Sequence, residues 1–274
     1  MSNDNFLDYN HLIKIKKRIS SPDKGTAVIT GGCGRIGSIF TSLFLSHNLK
    51  VIILSKTNKK FITYFSKLPK EIKKNISWKK LDLTNARSIE TVAKFLKNKK
   101  IEYLINNAAF SNRGEFFKYD SKKINKEMWG TFSGTMLLTE RILLNMRKNN
   151  KGKIIFTGSH WGQKAPKSKI YKELDIGPSA ILASGKAGIL QYAKFLTARE
   201  SKFNITVNTL LPGWFPRKGK VERKSYIKNI KKNIPLNRIG KLEDLITAVE
   251  FLIASGSEYV TGEKITVDGG YSIY

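Results

Sequence analysis

The chain has 274 residues, 41% of them apolar, enough to bury one sizeable core, so a single domain is expected. Its one cysteine, Cys33, excludes an intrachain disulfide and a cysteine-based metal site, and the three histidines (His11, His47, His160) are scattered, so no metal is expected. Fifty basic residues against 21 acidic ones give +29, but 40 of the fifty are lysine and 10 arginine, beside 20 asparagines; that is compositional drift rather than a set of bidentate phosphate forks, and it ranks nucleic acid last among the partners.

Residues 1–24 carry several lysines and little pattern, and they read as an extension ahead of the fold. The opening "MSNDNFLDYNHLIKIKKRIS" has no apolar stretch before a small-residue cleavage site, and the chain has no uninterrupted apolar run of membrane-spanning length. A soluble protein of the reducing cytoplasm is the expectation.

The fold is expected over residues 25–274. Short β-branched runs alternate there with longer amphipathic segments: "TAVIT" (26–30), "KVIIL" (50–54), "ISWKKLDL" (76–83), "IEYLINNA" (101–108), "GKIIFTG" (152–158), "ITVNTLLPG" (205–213) and "KITVDGG" (264–270). Strands with helix-length spacers require crossover connections, and runs apolar on successive residues suit strands covered on both faces. The fold class is therefore α/β, a Rossmann-type, doubly wound, parallel seven-stranded sheet in one domain.

After the first run comes "TGGCGRIG" (30–37), which opens a segment of helical periodicity, "IGSIFTSLFLSH". Glycines at 31, 34 and 37 provide a tight turn, close backbone approach to a pyrophosphate and close helix packing. At the end of the second run an acidic residue would bind a ribose 2′-hydroxyl and exclude a 2′-phosphate. Ser55 and Lys56 stand there instead, which on electrostatic grounds favours NADP, with NAD as the other possibility.

These residues and others in order resemble the short-chain dehydrogenase/reductase family over about residues 25–274. The matches are the glycine turn, with Arg35 where many members have glycine; "LDL" with Asp82; "NNAA" (106–109); Ser159; Lys186; "LPG" (211–213); and "YVTGEKITVDGG" (259–270). A finer similarity is to bacterial members associated with surface sugars and nonulosonic acids, which share a lengthened segment after the catalytic serine. The resemblance implies cofactor contacts at Thr30, Gly31, Gly34, Arg35, Ile36, Gly37, Ser55, Lys56, Asp82, Leu83, Asn107, Ala108, Lys186, Pro212 and Gly213. It also implies a homodimer or homotetramer.

For catalysis the resemblance implies four residues. A tyrosine exchanges a proton with the substrate oxygen, a lysine one helical turn later holds the nicotinamide ribose, a serine polarises the carbonyl, and an asparagine shapes a helix carrying a relay water. Ser159 and Lys186 match, whereas Leu182 occupies the tyrosine position and Thr131 the asparagine position. Tyr171, on the lengthened segment, is the candidate to swing in and replace the missing phenol, although Asp175 stands four residues on and no lysine partners it. Tyr192, six residues past Lys186, is about 240° around a helix and faces elsewhere.

On the substrate side, Arg217, Lys218, Lys220, Arg223 and Lys224 make a basic segment suited to an anionic, sugar-derived substrate. An equal alternative is a solvated helix, since Tyr226, Ile227, Ile230 and Ile234 follow helical spacing. Trp161 and Trp214 suit either a pocket wall or core, and His160, beside Ser159 on an extended segment, is not read as its base. Two functions stay open: an NAD(P)-dependent oxidoreductase acting on a carbonyl or hydroxyl of a polar substrate, and a binding or regulatory protein that keeps the nucleotide and has lost turnover.

Overall fold

The structure is a computed structural model that describes residues 22–110, 119–167, 170, 179–215 and 224–273. Seven strands form on the seven β-branched runs: β1 (Thr26–Thr30), β2 (Lys50–Ser55), β3 (Ile76–Lys80), β4 (Ile101–Asn106), β5 (Gly152–Thr157), β6 (Ile205–Pro212) and β7 (Lys264–Val267). All pair in parallel, in the order β3-β2-β1-β4-β5-β6-β7. Most runs were expected to continue one to three residues further. The chain turns earlier because local hydrogen bonds take over, as where Asn107 N–H bonds Ile105 O and where Asp82 accepts from Thr84.

The helices are α1 (Arg35–Ser46), α2 (Lys59–Phe65), α3 (Lys70–Lys73), α4 (Ala86–Leu96), α5 (Ser121–Met128), α6 (Gly134–Asn149), α7 (Ala180–Glu200), α8 (Lys224–Lys232) and α9 (Ile246–Ile253). Alternate strand residues feed two cores. Ala27, Ile29, Val51, Ile53 and Ile105 pack with Phe40 and Phe44 of α1 and Val249 and Leu252 of α9. On the other face Val28, Ile52, Leu54, Leu104 and Phe156 meet Val92 of α4, Leu138 and Ile142 of α6, and Ile189 and Leu196 of α7. Central β1, β2, β4, β5 and β6 are therefore buried on both faces, while edge strands β3 and β7 are only part-buried.

Asparagine has a structural use at the helix-to-strand turns. The described non-glycine residues with positive φ are Asn48, Asn150, Asn204 and Asn237, and the first three lie just before β2, β5 and β6. Asparagine tolerates this left-handed backbone better than other side chains with a Cβ. A third small core holds Tyr226 and Ile230 from α8 together with Ile234 and Tyr271. The apolar face read from the spacing of α8 is thus buried.

Strand order reverses direction between β1 and β4, so the sheet's carboxyl edge opens a crevice there. No helix among the described residues is long and apolar enough to cross a membrane.

Candidate active site

The crevice begins at the end of β1. Gly31 has φ +64° and its carbonyl accepts Gly34 N–H at 2.8 Å, closing the turn. A Cβ on Gly37 would lie 2.2 Å from Gly31 O, so the first turn of α1 can approach only because residue 37 is glycine. Gly34 caps α1 with no side-chain hydrogen bond and no acidic residue in the first turn, leaving the helix amide end open to an anion. Ile36 packs partly against the core beneath.

Thr30 ties the two sides of the reversal together. Its hydroxyl donates to Ile105 O and accepts from the backbone N–H groups of Asn107 and Ala108, both at 2.9 Å. The Asn107 amide in turn donates to Thr30 O and Gly31 O, and its oxygen accepts from the Thr157 hydroxyl at 3.2 Å. Tips of β1, β4 and β5 are thereby locked side by side. The expected residues Thr30, Gly31, Asn107 and Ala108 do come together.

Arg35, which stands where many family members have glycine, was expected as a cofactor contact. Its guanidinium reaches across the crevice and donates to the carbonyl of Phe215, just past Pro212 and Gly213 at the end of β6. No sequence signal marked Phe215 as its partner.

At the end of β2 the Ser55 hydroxyl donates to Thr57 O at 2.9 Å and accepts from Trp78 Nε1 at 2.8 Å. Lys56 is not a free cation: its ammonium pairs with Asp82 at 2.6 Å. Burial works to raise the Asp82 pKa, but Lys56 and the Thr84 hydroxyl and backbone N–H outweigh it and hold the carboxyl below its usual range. Leu83 turns its side chain into the second core, and its carbonyl packs against Gly134 at the start of α6. No acidic residue occupies position 55 or 56.

Ser159 lies beyond β5, in extended conformation, capping the short turn His160–Gly162, and its hydroxyl accepts Trp161 N–H at 3.2 Å. That turn packs on α7 so closely that a Cβ on Gly162 would lie 2.7 Å from Lys186 C. Lys186 is 6% exposed, and its ammonium donates to Thr157 O, two residues before Ser159. Burial alone moves its pKa from 10.5 down to about 8. Among the described residues no carboxylate pairs with it. Thr157, which links Asn107 to Lys186, was missed in the sequence because a threonine ending a strand carries no distinguishing signal.

The register of α7 settles which residue precedes Lys186. Ser179 caps the helix, accepting Leu182 N–H at 3.3 Å and donating to the fully buried Glu127 of α5 at 2.8 Å. Leu182 and Lys186 lie on one continuous helix, four residues apart and so on one face. Tyr192 points into the second core and donates to Glu140, away from Lys186. Tyr171, Arg217, Lys218, Lys220 and Arg223 lie outside the described residues, as do residues 1–21.

Thr131 sits in a π-helical turn, Trp129–Ser133, between α5 and α6. It is buried, its hydroxyl donates to Phe110 O at 2.7 Å, and a Cβ on Gly185 would lie 3.0 Å from its methyl. The position aligned with the family asparagine thus abuts the helix that carries Lys186. A π-turn in a helix commonly marks a functional site.

His160 does not serve Ser159. Its Nδ1 lies 3.3 Å from Pro212 O, and burial lowers its pKa despite that hydrogen bond and the Asp268 charge. Its ring packs among Trp161, Trp214 and Tyr271. The two tryptophans are therefore neighbours in one aromatic cluster, ring centroids 5.6 Å apart, beside the end of β6.

A cavity of about 730 Å³ lies at the opposite, amino-terminal edge of the sheet. Lys151 pairs there with Asp23 at 2.9 Å and Glu258 at 3.5 Å, Lys153 donates to the Ser257 hydroxyl at 3.1 Å, and none of the candidate site residues lines it.

A family model described as enoyl-(acyl carrier protein) reductase, a short-chain dehydrogenase model, matches residues 35–272. Carbonyl reductase family member 4 of Xenopus laevis is 27% identical over 250 residues, covering 90% of this chain and 97% of that protein. The 3-oxoacyl-[acyl-carrier-protein] reductase FabG of Chlamydia trachomatis is 27% identical over 257 residues, covering 89% and 96%. A short-chain dehydrogenase of Leptospira borgpetersenii, solved with bound NAD⁺, is 30% identical with TM-score 0.80, covering 93% of this chain and 94% of that one.

Proposed function

This chain belongs to the short-chain dehydrogenase/reductase family, and we propose from that premise that it binds a nicotinamide dinucleotide in the β1/β4 crevice and interconverts a carbonyl and a hydroxyl on a polar substrate. The observation that carries this reading is Lys186: a buried ammonium with one backbone acceptor and, among the described residues, no carboxylate partner, facing the same strand ends as the glycine turn. Such a group is costly to bury unless a ligand's oxygens complete its hydrogen bonds. Ribose hydroxyls fit that need, the open amide end of α1 fits a pyrophosphate, and the bound nicotinamide supplies hydride chemistry. Ser159 polarises the substrate oxygen, and Leu182 and the Trp161–Trp214 cluster limit the access of water.

The preferred cofactor in this proposal is NADP, supported by the absence of an acid at 55 and 56 and by a cation at the end of β2. Asp82 competes for that cation, so a 2′-phosphate has to share Lys56 with it. An anionic, sugar-derived substrate, as in the surface-sugar members, is proposed from the basic run 217–224; the domain is taken to span 25–274. A homodimer or homotetramer belongs to the same proposal, supported by Met136 and Leu144 of α6 and Phe195 of α7, which are exposed; a monomer by light scattering would contradict it.

Leu182 motivates a second reading, a cofactor-binding protein without turnover. Titration with NADPH and NADH, then cofactor consumption over a panel of 3-oxoacyl thioesters, ketoses and nucleotide-sugars, separates the two. The enzyme reading expects tighter NADPH binding and turnover that Ser159→Ala lowers by about 10²-fold or more. Tighter NADH binding overturns the NADP assignment. An inert native protein that gains turnover with Leu182→Tyr supports the second reading.

A further inference from the structure

We propose that Lys186 itself is the proton donor to the substrate oxygen, in the place of the missing phenol. This rests on the oxidoreductase reading above and goes beyond it by assigning the acid.

The assignment follows from which titratable groups reach the end of β5. Lys186 Nζ lies against Thr157 O, and the turn that begins after Ser159 packs directly on its helix. His160, Glu127, Glu140, Glu200 and Cys33 are each held elsewhere. His160, on that turn, is held at Pro212 O inside the aromatic cluster. Glu127 of α5 takes the Ser179 hydroxyl, Glu140 of α6 takes the Tyr192 hydroxyl, and Glu200 at the far end of α7 pairs with Arg147 and Arg199. Cys33, in the glycine turn, is buried and its thiol is pushed up to about 12.

Leu182 makes the assignment chemically reasonable. A phenol one turn before the lysine would accept or share its protons, whereas a leucine on that face cannot, and among the described residues the ammonium donates to Thr157 O alone. Desolvation favours the neutral amine and lowers the pKa to about 8, so the group is protonated at neutral pH and gives up its proton readily. In the step, an N–H bond of the ammonium breaks as the O–H bond of the product alcohol forms; a reduced nicotinamide held in the crevice would supply the hydride, and with it the two electrons, to the carbonyl carbon. The electron pair left on Nζ then takes a proton from water. In the reverse direction the neutral amine removes the alcohol proton.

Lys186→Arg tests this, because arginine keeps the charge and donors for ribose hydroxyls but has no proton to give near neutral pH. Protein labelled with [ε-¹³C]lysine is titrated by NMR, with Lys186→Arg identifying the resonance. The same two proteins are titrated with NADPH and assayed on the carbonyl panel from pH 6 to 10. The expected results are a lysine resonance with a midpoint near pH 8, reductive turnover falling tenfold per pH unit above that midpoint, and a loss of about 10²- to 10⁴-fold in Lys186→Arg. Turnover is compared at saturating NADPH, so that any change in cofactor affinity is separated from the loss of the proton donor. A Lys186 midpoint above 10, a flat native profile, or turnover retained within tenfold by Lys186→Arg would overturn the assignment and leave the oxidoreductase reading standing. Native protein that binds NADPH and reduces no panel member would overturn both.

Discussion

At the residue scale, Lys186 is held in the fold at an energetic cost. Its pKa in the folded chain is about 8 against an ordinary 10.5, so between those values the unfolded chain binds more protons and stability rises with pH. Below pH 8 the penalty of the buried charge is fully present, at most about 3 kcal/mol by linkage, and the Thr157 hydrogen bond offsets about 1 kcal/mol of what a neutral replacement would recover. Lys186→Met is therefore expected to be more stable than the native protein at pH 7, by about 1–2 kcal/mol in urea unfolding, and the difference should shrink by pH 10. Equal or lower stability of Lys186→Met at pH 7 would mean that the ammonium is better solvated than the structure has it. Comparing the two proteins removes the parallel effect of Lys153, another buried lysine with a lowered pKa.

At the element scale, α7 is the part that positions the chemistry, and its N-terminal cap fixes its register. Ser179→Ala removes the cap at Leu182 and one hydrogen bond to the fully buried Glu127. We expect a loss of about 1–3 kcal/mol in urea unfolding with an unchanged m-value, and Ser179→Thr should recover most of it; an alanine variant as stable as the native protein would remove the cap from the account. Sequence carried this element well: "GKAGILQYAKFL" has helical spacing, and it lies within the helix Ala180–Glu200 together with Leu182. The glycine turn and the seven strands were legible for the same reason, since backbone conformation and burial constrain which residues can stand there. What was not legible depended on partners far apart in the chain. Arg35 meets Phe215, Lys56 meets Asp82, and Thr131 in its π-turn packs against Gly185 of α7.

At the scale of the whole molecule, the sheet reversal between β1 and β4 gathers the glycine turn, Asn107, Ser159 and Lys186 at one edge, while the charged cavity lies at the other. The net charge of +29 contributes a long-range field attractive to phosphorylated cofactors, and it should make NADPH association slow with salt. The central claim is that the chain transfers a hydride without the family's phenol. The most direct measurement is incubation of the native protein with NADPH deuterated at nicotinamide C4 and the carbonyl panel, with mass spectrometry of the alcohols formed. The account predicts an alcohol carrying one deuterium on carbon, formed by the native protein and reduced about 10²-fold or more in Ser159→Ala. Saturable NADPH binding with no deuterium transferred to any panel member would contradict it.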